Sequence, residues 1–394
     1  MDNFIKNEQS MIGNKNKIKS KNVIIIAVII IFAIIASLYI SNEKFRKYID
    51  RNILKKEVQD VDTKKIYISS INPSRVIVSD NNIYLLRNGE MSIYDRKGQE
   101  KKKDKVSVGT PLYKVSGKYL ALGDRESTSI YLYEDETAKW ERKLEMPVLS
   151  ISVNSEGYVS VVTKDSIYKS VVIVFDKSGK QIFKTYISQG YTIDTDISKD
   201  NNFLAIAEID YSKTIANSNV KIISIPKAKT DPKNAIVNEF MINKLIVNIK
   251  FKENRDLTAQ YSDSIYNISL ENNNNTKEIY KLEGNVEYVD IENRSGIAII
   301  KKENSGIFAN KYNLINLTEG GKEASISLIG EAPPRNVVIS DGYIGINDGK
   351  EIKIYTSSHW YKKKYVATKE IKDFKLSDKM IIIIYQDKLE ILEL

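Results

Sequence analysis

Residues 76–86 read VIVSDNNIYLL: an apolar run, a polar turn, a second apolar run. Each run is too short for a buried helix. Both are rich in Val, Ile and Tyr, which fit a pleated, half-buried surface. Ser, Asn and Asp between them bond their own backbone and close a tight hairpin. The unit recurs as YKVSGKYLAL at 113–122, SISVNSEGYVSVV at 150–162, TDISKDNNFLAIA at 195–207 and IKFKENRDLTAQY at 249–261. It continues as VDIENRSGIAII at 289–300, VVISDGYIGI at 337–346 and FKLSDKMIIII at 374–384. The turns start at Ser79, Ser116, Asn154, Ser198, Lys252, Glu292, Ser340 and Ser377, at intervals of 37, 38, 44, 54, 40, 48 and 37 residues. A period of about 43 is the length of one four-stranded propeller blade.

A second strand pair follows each turn. Residues 92–100 read SIYDRKGQE and 172–184 read VIVFDKSGKQIFK. Tyr94-Asp95 with Gly98 and Phe175-Asp176 with Gly179 are one device. The aromatic ends a strand, Asp bonds the backbone ahead of it, and Gly accepts positive φ. Strands covered on both faces by neighbouring blades should be continuously apolar, as 171–175, 297–300 and 381–384 are. After the eighth turn only two more strands fit, at 380–385 and 388–392. The strand 65–69 (KIYIS) precedes the first turn without a blade of its own. Pairing it into the last blade closes the ring and removes both free edges. The expectation is all-β: an eight-bladed β-propeller over residues 64–394. Seven blades is the alternative count, and two packed sandwiches the alternative architecture.

The segment from Val23 to Ile40, VIIIAVIIIFAIIASLYI, carries no charge over 18 residues. As a helix it reaches about 27 Å, close to the hydrocarbon thickness of a bilayer. It is longer than the apolar region of a cleaved signal and lacks a clean A-x-A after it. It is read as an uncleaved transmembrane signal anchor behind a cytosolic tail, 1–22, and before a charged stem, 41–63. In the stem Phe45, Ile49 and Ile53 recur at helical spacing with Tyr48 beside them. Cations flank the segment on both sides, so charge alone does not orient it. The short tail and long following domain place the N-terminus in the cytosol and the large domain outside.

The chain has 394 residues and a formal net charge of +9. Tail and stem (through Lys65) carry +3 each, leaving +3 for the other 329 residues beyond the span. A nearly neutral body gives no basis for nucleic-acid binding. There is no cysteine and one histidine, His359. Disulfides, cysteine nucleophiles, thiolate metal sites, histidine triads and two-histidine metal sites are excluded.

Anchor, stem and Asp-x-x-Gly hairpins together resemble an uncharacterised family of membrane-anchored β-propeller proteins of spore-forming, low-GC Gram-positive bacteria, related loosely to quinoprotein-like and WD-like propellers. The resemblance covers nearly the whole chain and carries over no site residue. The Gly-His and Trp-Asp pairs of WD repeats, the kelch double glycine and a tryptophan per blade are absent, so no quinone or other cofactor is expected.

Two stretches stand out. Asp194 and Asp196 lie in a first strand, the kind that lines a propeller channel, and could face it or bind a cation. Ser198 and Lys199 stand where a calcium loop needs a third ligand and Gly. His359, Trp360, Tyr361, Lys362, Lys363 and Lys364 interleave aromatics with cations, suited to an anionic polymer or a sugar. The plain alternative is a hairpin loop with Trp360 on the blade edge. Asn272–Asn275 reads as a loop and 330–335 (GEAPPR) as a connector between blades. The functional expectation is a non-enzymatic binding, scaffold or sensor module for an envelope protein or polymer. The alternative is an envelope glycan hydrolase or lyase working with carboxylates.

Overall fold

A computed structural model of the chain describes residues 23–39, 45, 49 and 63–394, apart from 126, 213–216, 272–274, 293–295, 304–310, 318–320, 330–333, 341, 357–360, 368 and 378–379. Two compact units are separated, Met1–Val61 and Asp62–Leu394.

The second unit is an eight-bladed propeller. Every sheet has four antiparallel strands. The blades cover residues 76–105, 111–143, 148–187, 191–242, 246–281, 285–329 and 336–366, and the eighth is made from both ends of the unit. Strands Asp373–Leu376, Met380–Ile384 and Lys388–Glu393 supply three of its strands, and Lys64–Tyr67 the fourth. Lys64 pairs with Ile391 and Tyr67 with Lys388, so the ring closes as the lone early strand anticipates.

Burial follows strand position. Third strand Ser170–Phe175 and second strand Met380–Ile384 are buried at every residue. Outer strand Glu100–Lys105 (EKKKDK) is exposed nearly throughout. Its lysines keep an open sheet edge from pairing with another chain. The apolar core is distributed between blades. One cluster joins Leu132 and Trp140 of blade two to Val161 and Phe175 of blade three. Another joins Val174 and Phe183 to Leu204 and Ile206 of blade four.

The Asp-x-x-Gly hairpins form by their expected bonds. Asp95 Oδ1 accepts from the N–H groups of Lys97 and Gln99 at 2.8 and 2.9 Å. Asp176 Oδ1 accepts from those of Ser178 and Lys180 at 2.9 and 3.0 Å. Gly98 and Gly179 take φ of +74° and +79°. Asn154-Ser155-Glu156-Gly157 repeats the device at a first turn, with Asn154 Oδ1 accepting from Glu156 and Tyr158 N–H.

In the first unit a helix covers residues 23–39, and Phe45 and Ile49 are helical. The expected span is corrected here. The described helix has 17 residues and reaches about 26 Å. No helix among the described residues is long and apolar enough to cross a membrane. The tail, Ile40 and most of the stem lie outside the described residues, as do 272–274 and most of the connector at 330–335.

Candidate functional site

The first strand of every blade lines the central channel. It pairs with its second strand on one side only, so alternate N–H groups on its other edge need another acceptor. In blade four, strand Tyr191–Ile197 supplies them to blade five. Asp194 Oδ2 accepts from Ile249 N–H at 3.1 Å, and Asp196 Oδ2 from Phe251 N–H at 2.8 Å. Asp196 Oδ1 also accepts from Ser152 Oγ and Lys250 Nζ, each at 3.1 Å. Asp196 is only 3% exposed and bridges three blades. The two aspartates share the channel wall, but their oxygens are taken up by strand edges and an ammonium. Among the described residues no group of three or more His, Cys, Asp or Glu is placed to hold a metal ion.

At the mouth, on the face of the first turns, lies a cavity of about 340 Å³. Its wall includes Ser79, Ser116, Ser155, Ser340 and Ser377, together with Lys114, Lys250 and Glu292. Lys114 of blade two and Glu292 after the first strand of blade six form an ion pair across it. Burial works against the Lys114 ammonium, but Glu292, Asp194 and Asp196 more than offset that, so its pKa lies above the ordinary lysine value. Burial would also raise the Glu292 carboxyl, yet Lys114 and Lys250 hold it below the usual carboxylate range. Asp194 goes the other way. Burial, with Glu292 and Asp196 nearby, pushes it up to about 6 against the pull of Lys114.

Reading by residue type missed the positions that bind blade to blade. The turn-start position is Ser in five repeats and Asn154, Lys252 and Glu292 in three. Those departures carry the links. Asn154 Nδ2 donates to Ser198 O at 2.8 Å, and buried Lys252 Nζ to Ile291 O at 2.8 Å and Gly296 O at 3.0 Å. Glu292 reaches across the channel.

The aromatic–lysine stretch is divided. His359 and Trp360 lie outside the described residues, and Tyr361–Val366 is the outer strand of blade seven, not a loop. Its lysines have local partners. Lys362 Nζ donates to Tyr343 Oη at 2.6 Å, Lys363 Nζ to Glu393 O at 3.5 Å, and Lys364 pairs with Glu351 at 2.6 Å. The cationic part of the expected patch is thus engaged within its own blade and with the chain end.

Among solved structures the chain is similar to BamB from Moraxella catarrhalis, with a TM-score of 0.50 at 10% identity over 84% of this chain and 100% of that one. It is also similar to Chaetomium thermophilum Sqt1 bound to the N-terminus of the ribosomal protein L10, with a TM-score of 0.51 at 9% identity over 83% and 99%. At such identities the likeness is one of fold. No curated protein matches the chain. Residues 50–394 match the Family of unknown function (DUF5711), and the chain belongs to that family.

Proposed function

We propose that the protein is a non-enzymatic binding or scaffold module held at the cell membrane, with the ring outside the cell facing an envelope protein or polymer. The observation that carries the reading is the commitment of the channel carboxylates. Asp194, Asp196 and Glu292 are engaged by strand N–H groups and lysines, and the two aspartates tie blade four to blade five. A fold relative crystallised on the N-terminus of another protein agrees with a partner of that class. Membrane attachment is supported by the uncharged segment and by side chains such as Ile26, Ile30 and Phe32 exposed around the helix. A helix apolar on all sides needs an apolar surround. The test is fractionation of cells making the tagged full chain. The parent should stay with membranes after a carbonate wash, and Ile30→Lys with Phe32→Lys should release it. External protease should cut the ring in intact spheroplasts. Equal partitioning of parent and variant, or a protected ring, would overturn the placement.

One observation favours the glycan-cleaving alternative. Asp194, held near 6, and Glu292, held low, are carboxylates with separated proton affinities in one channel, as acid–base pairs are. Release of reducing ends from isolated cell wall, lost in Asp194→Asn and in Glu292→Gln, would establish it. No release by the parent would remove it.

A further inference from the structure

Blades two and three are separated along their outer edges by a groove of about 300 Å³. Its apolar wall is Val171, Ile173 and Phe175 of the third strand of blade three. Its rim is cationic: Arg142, Lys143, Lys164 and Lys184 stand against Glu145 and Asp165. Those two carboxylates are already committed. Glu145 pairs with Lys184 at 3.3 Å, and Asp165 Oδ1 accepts from Ile167 and Tyr168 N–H at 2.8 and 2.9 Å. Among the described residues the Arg142 guanidinium donates only to the carbonyls of Gly179 and Glu141. Among the described residues Arg142, Lys143 and Lys164 have no carboxylate partner.

The Asp165 bonds brace the loop between the second and third strands of blade three. That loop holds Ile167 out at 85% exposure. Beside it Tyr168 and Tyr186 meet at 4.7 Å between ring centres, tilted by 43°. Farther along, Lys169 lies 5.2 Å over the Tyr191 ring, which meets Tyr211 at 6.4 Å. All four tyrosines are exposed. The groove runs along the outer edge from the Gly179 turn to the Asp165 loop, and the tyrosines gather at the loop end, on the face opposite the first turns. Exposed tyrosines and a braced apolar residue beside a pocket are what protein partners use as anchors.

We propose that this surface of blades two to four docks an acidic segment of a partner protein. Its carboxylates would meet Arg142, Lys143 and Lys164, and an apolar side chain would enter the groove over Ile173 and Phe175. Charge complementarity decides the occupant. Three cations without a carboxylate partner surround an apolar floor and outnumber the two rim carboxylates, one of them already paired with Lys184. The inference rests on the binding-module reading and gives the partner its chemistry.

The test uses the detergent-solubilised full chain and a fluorescein-labelled peptide of alternating glutamate and leucine or phenylalanine, followed by anisotropy. Saturable binding is expected, weakening as salt rises from 50 to 300 mM. Exposed-site variants Lys143→Glu and Lys164→Glu together should weaken it at least tenfold while leaving the melting temperature unchanged. A photo-crosslinker replacing Ile167 should capture the peptide, and one at Lys97 on the opposite face should not. A peptide with lysine for glutamate should fail to bind. Equal binding of both peptides, or of parent and double variant, would overturn the proposal, as would displacement by dihexanoyl-phosphatidylglycerol, which marks a lipid surface. A cellular partner crosslinked through Lys97 and not through residue 167 would remove this surface while leaving the module reading in place.

Discussion

Lys114 and Glu292 lie 178 residues apart in sequence and meet as an ion pair across the channel. Blades two and six stand opposite each other in a ring of eight, so the pair is a crossbar. Its side chains keep 35% and 43% of their exposure, which places it in a watery lumen. Blade walls surround the pair, but water reaches both side chains, and a pair so solvated is worth about 0–1 kcal/mol. Replacing Lys114 by Ala should therefore lower stability by less than about 1 kcal/mol. A double-mutant cycle with Glu292→Ala, read by urea unfolding, should give a coupling of the same size. A coupling several times larger would make the crossbar a structural keystone.

Asp196 should behave differently. Its pair with Lys250 leaves the side chains 4% and 13% exposed, and the same carboxylate holds Phe251 N–H and Ser152 Oγ. Asp196→Ala leaves a buried ammonium and a strand N–H without an acceptor. Such a loss costs about 3–5 kcal/mol. The expected result is a urea midpoint far below that of Lys114→Ala, with Asp196→Asn in between because its oxygen can still accept. Similar midpoints for Asp196→Ala and Lys114→Ala would show that the inter-blade bonds are dispensable.

The raised Asp194 carboxyl makes a pH prediction. Its folded pKa, about 6, exceeds the ordinary 3.8, so the folded chain holds this proton more tightly than the unfolded one. That contribution is complete below about pH 4 and is lost as pH rises through about 6. Asp194→Asn abolishes it. Between pH 4 and 7 the melting temperature of the variant should therefore rise relative to the parent. A constant difference across that range would mean that Lys114 keeps Asp194 ionised throughout.

What could be read from the sequence was what the chain does locally. A turn such as Ser79–Asn82, or Asp95 bonding Lys97, involves a few neighbouring residues, and eight repeats of the unit count the blades. Closure was legible because one strand lacked a blade. Partners across blades were not legible. Asp196 meets Phe251, 55 residues on, only because the ring sets blade four beside blade five. Glu292 meets Lys114 only because eight blades set two and six opposite. The signal available was the turn-start position, where Asn154, Lys252 and Glu292 break a run of serines. The groove gave no signal, since Arg142 and Lys164 look like ordinary surface cations until Phe175 and Ile173 are seen between them.

The two Asp-x-x-Gly hairpins look alike in sequence and differ in packing. A Cβ on Gly179 would lie 2.7 Å from Cγ of Trp140, whose buried indole lies beneath that turn. A Cβ on Gly98 would meet Ile391 Cδ1 at 3.2 Å and Ile66 Cγ1 at 3.4 Å, atoms of flexible aliphatic side chains. Both alanines would be held at positive φ, at about 1–2 kcal/mol each. Gly179→Ala adds overpacking, about 1–3 kcal/mol more. Guanidinium unfolding should rank it clearly below Gly98→Ala, and Trp140 fluorescence should shift only in the former. Equal midpoints would mean that the indole moves aside freely.

Ring closure is tested by where the chain is cut. The strand Lys64–Tyr67 covers the outer edge of Lys388–Glu393 and buries Ile66 against the last blade. Lys65 also approaches Glu390, at 3.8 Å, which accepts from Tyr385 Oη at 3.1 Å and from Tyr365 Oη of blade seven. Removing residues 1–61 leaves every one of these contacts, because the compact unit begins at Asp62. Removing residues 1–67 strips them together. Losing one buried Ile costs about 1.5–3 kcal/mol, and each strand hydrogen bond about 1 kcal/mol more. The bared strand, which carries Leu389 and Ile391, is also an open edge for another chain. The shorter deletion should melt within about 2 °C of a full-length ring. The longer one should melt well below it and show concentration-dependent association by light scattering. If both deletions melted alike and stayed monomeric, the fourth strand of the last blade would be ornamental, and three strands would suffice to close the ring.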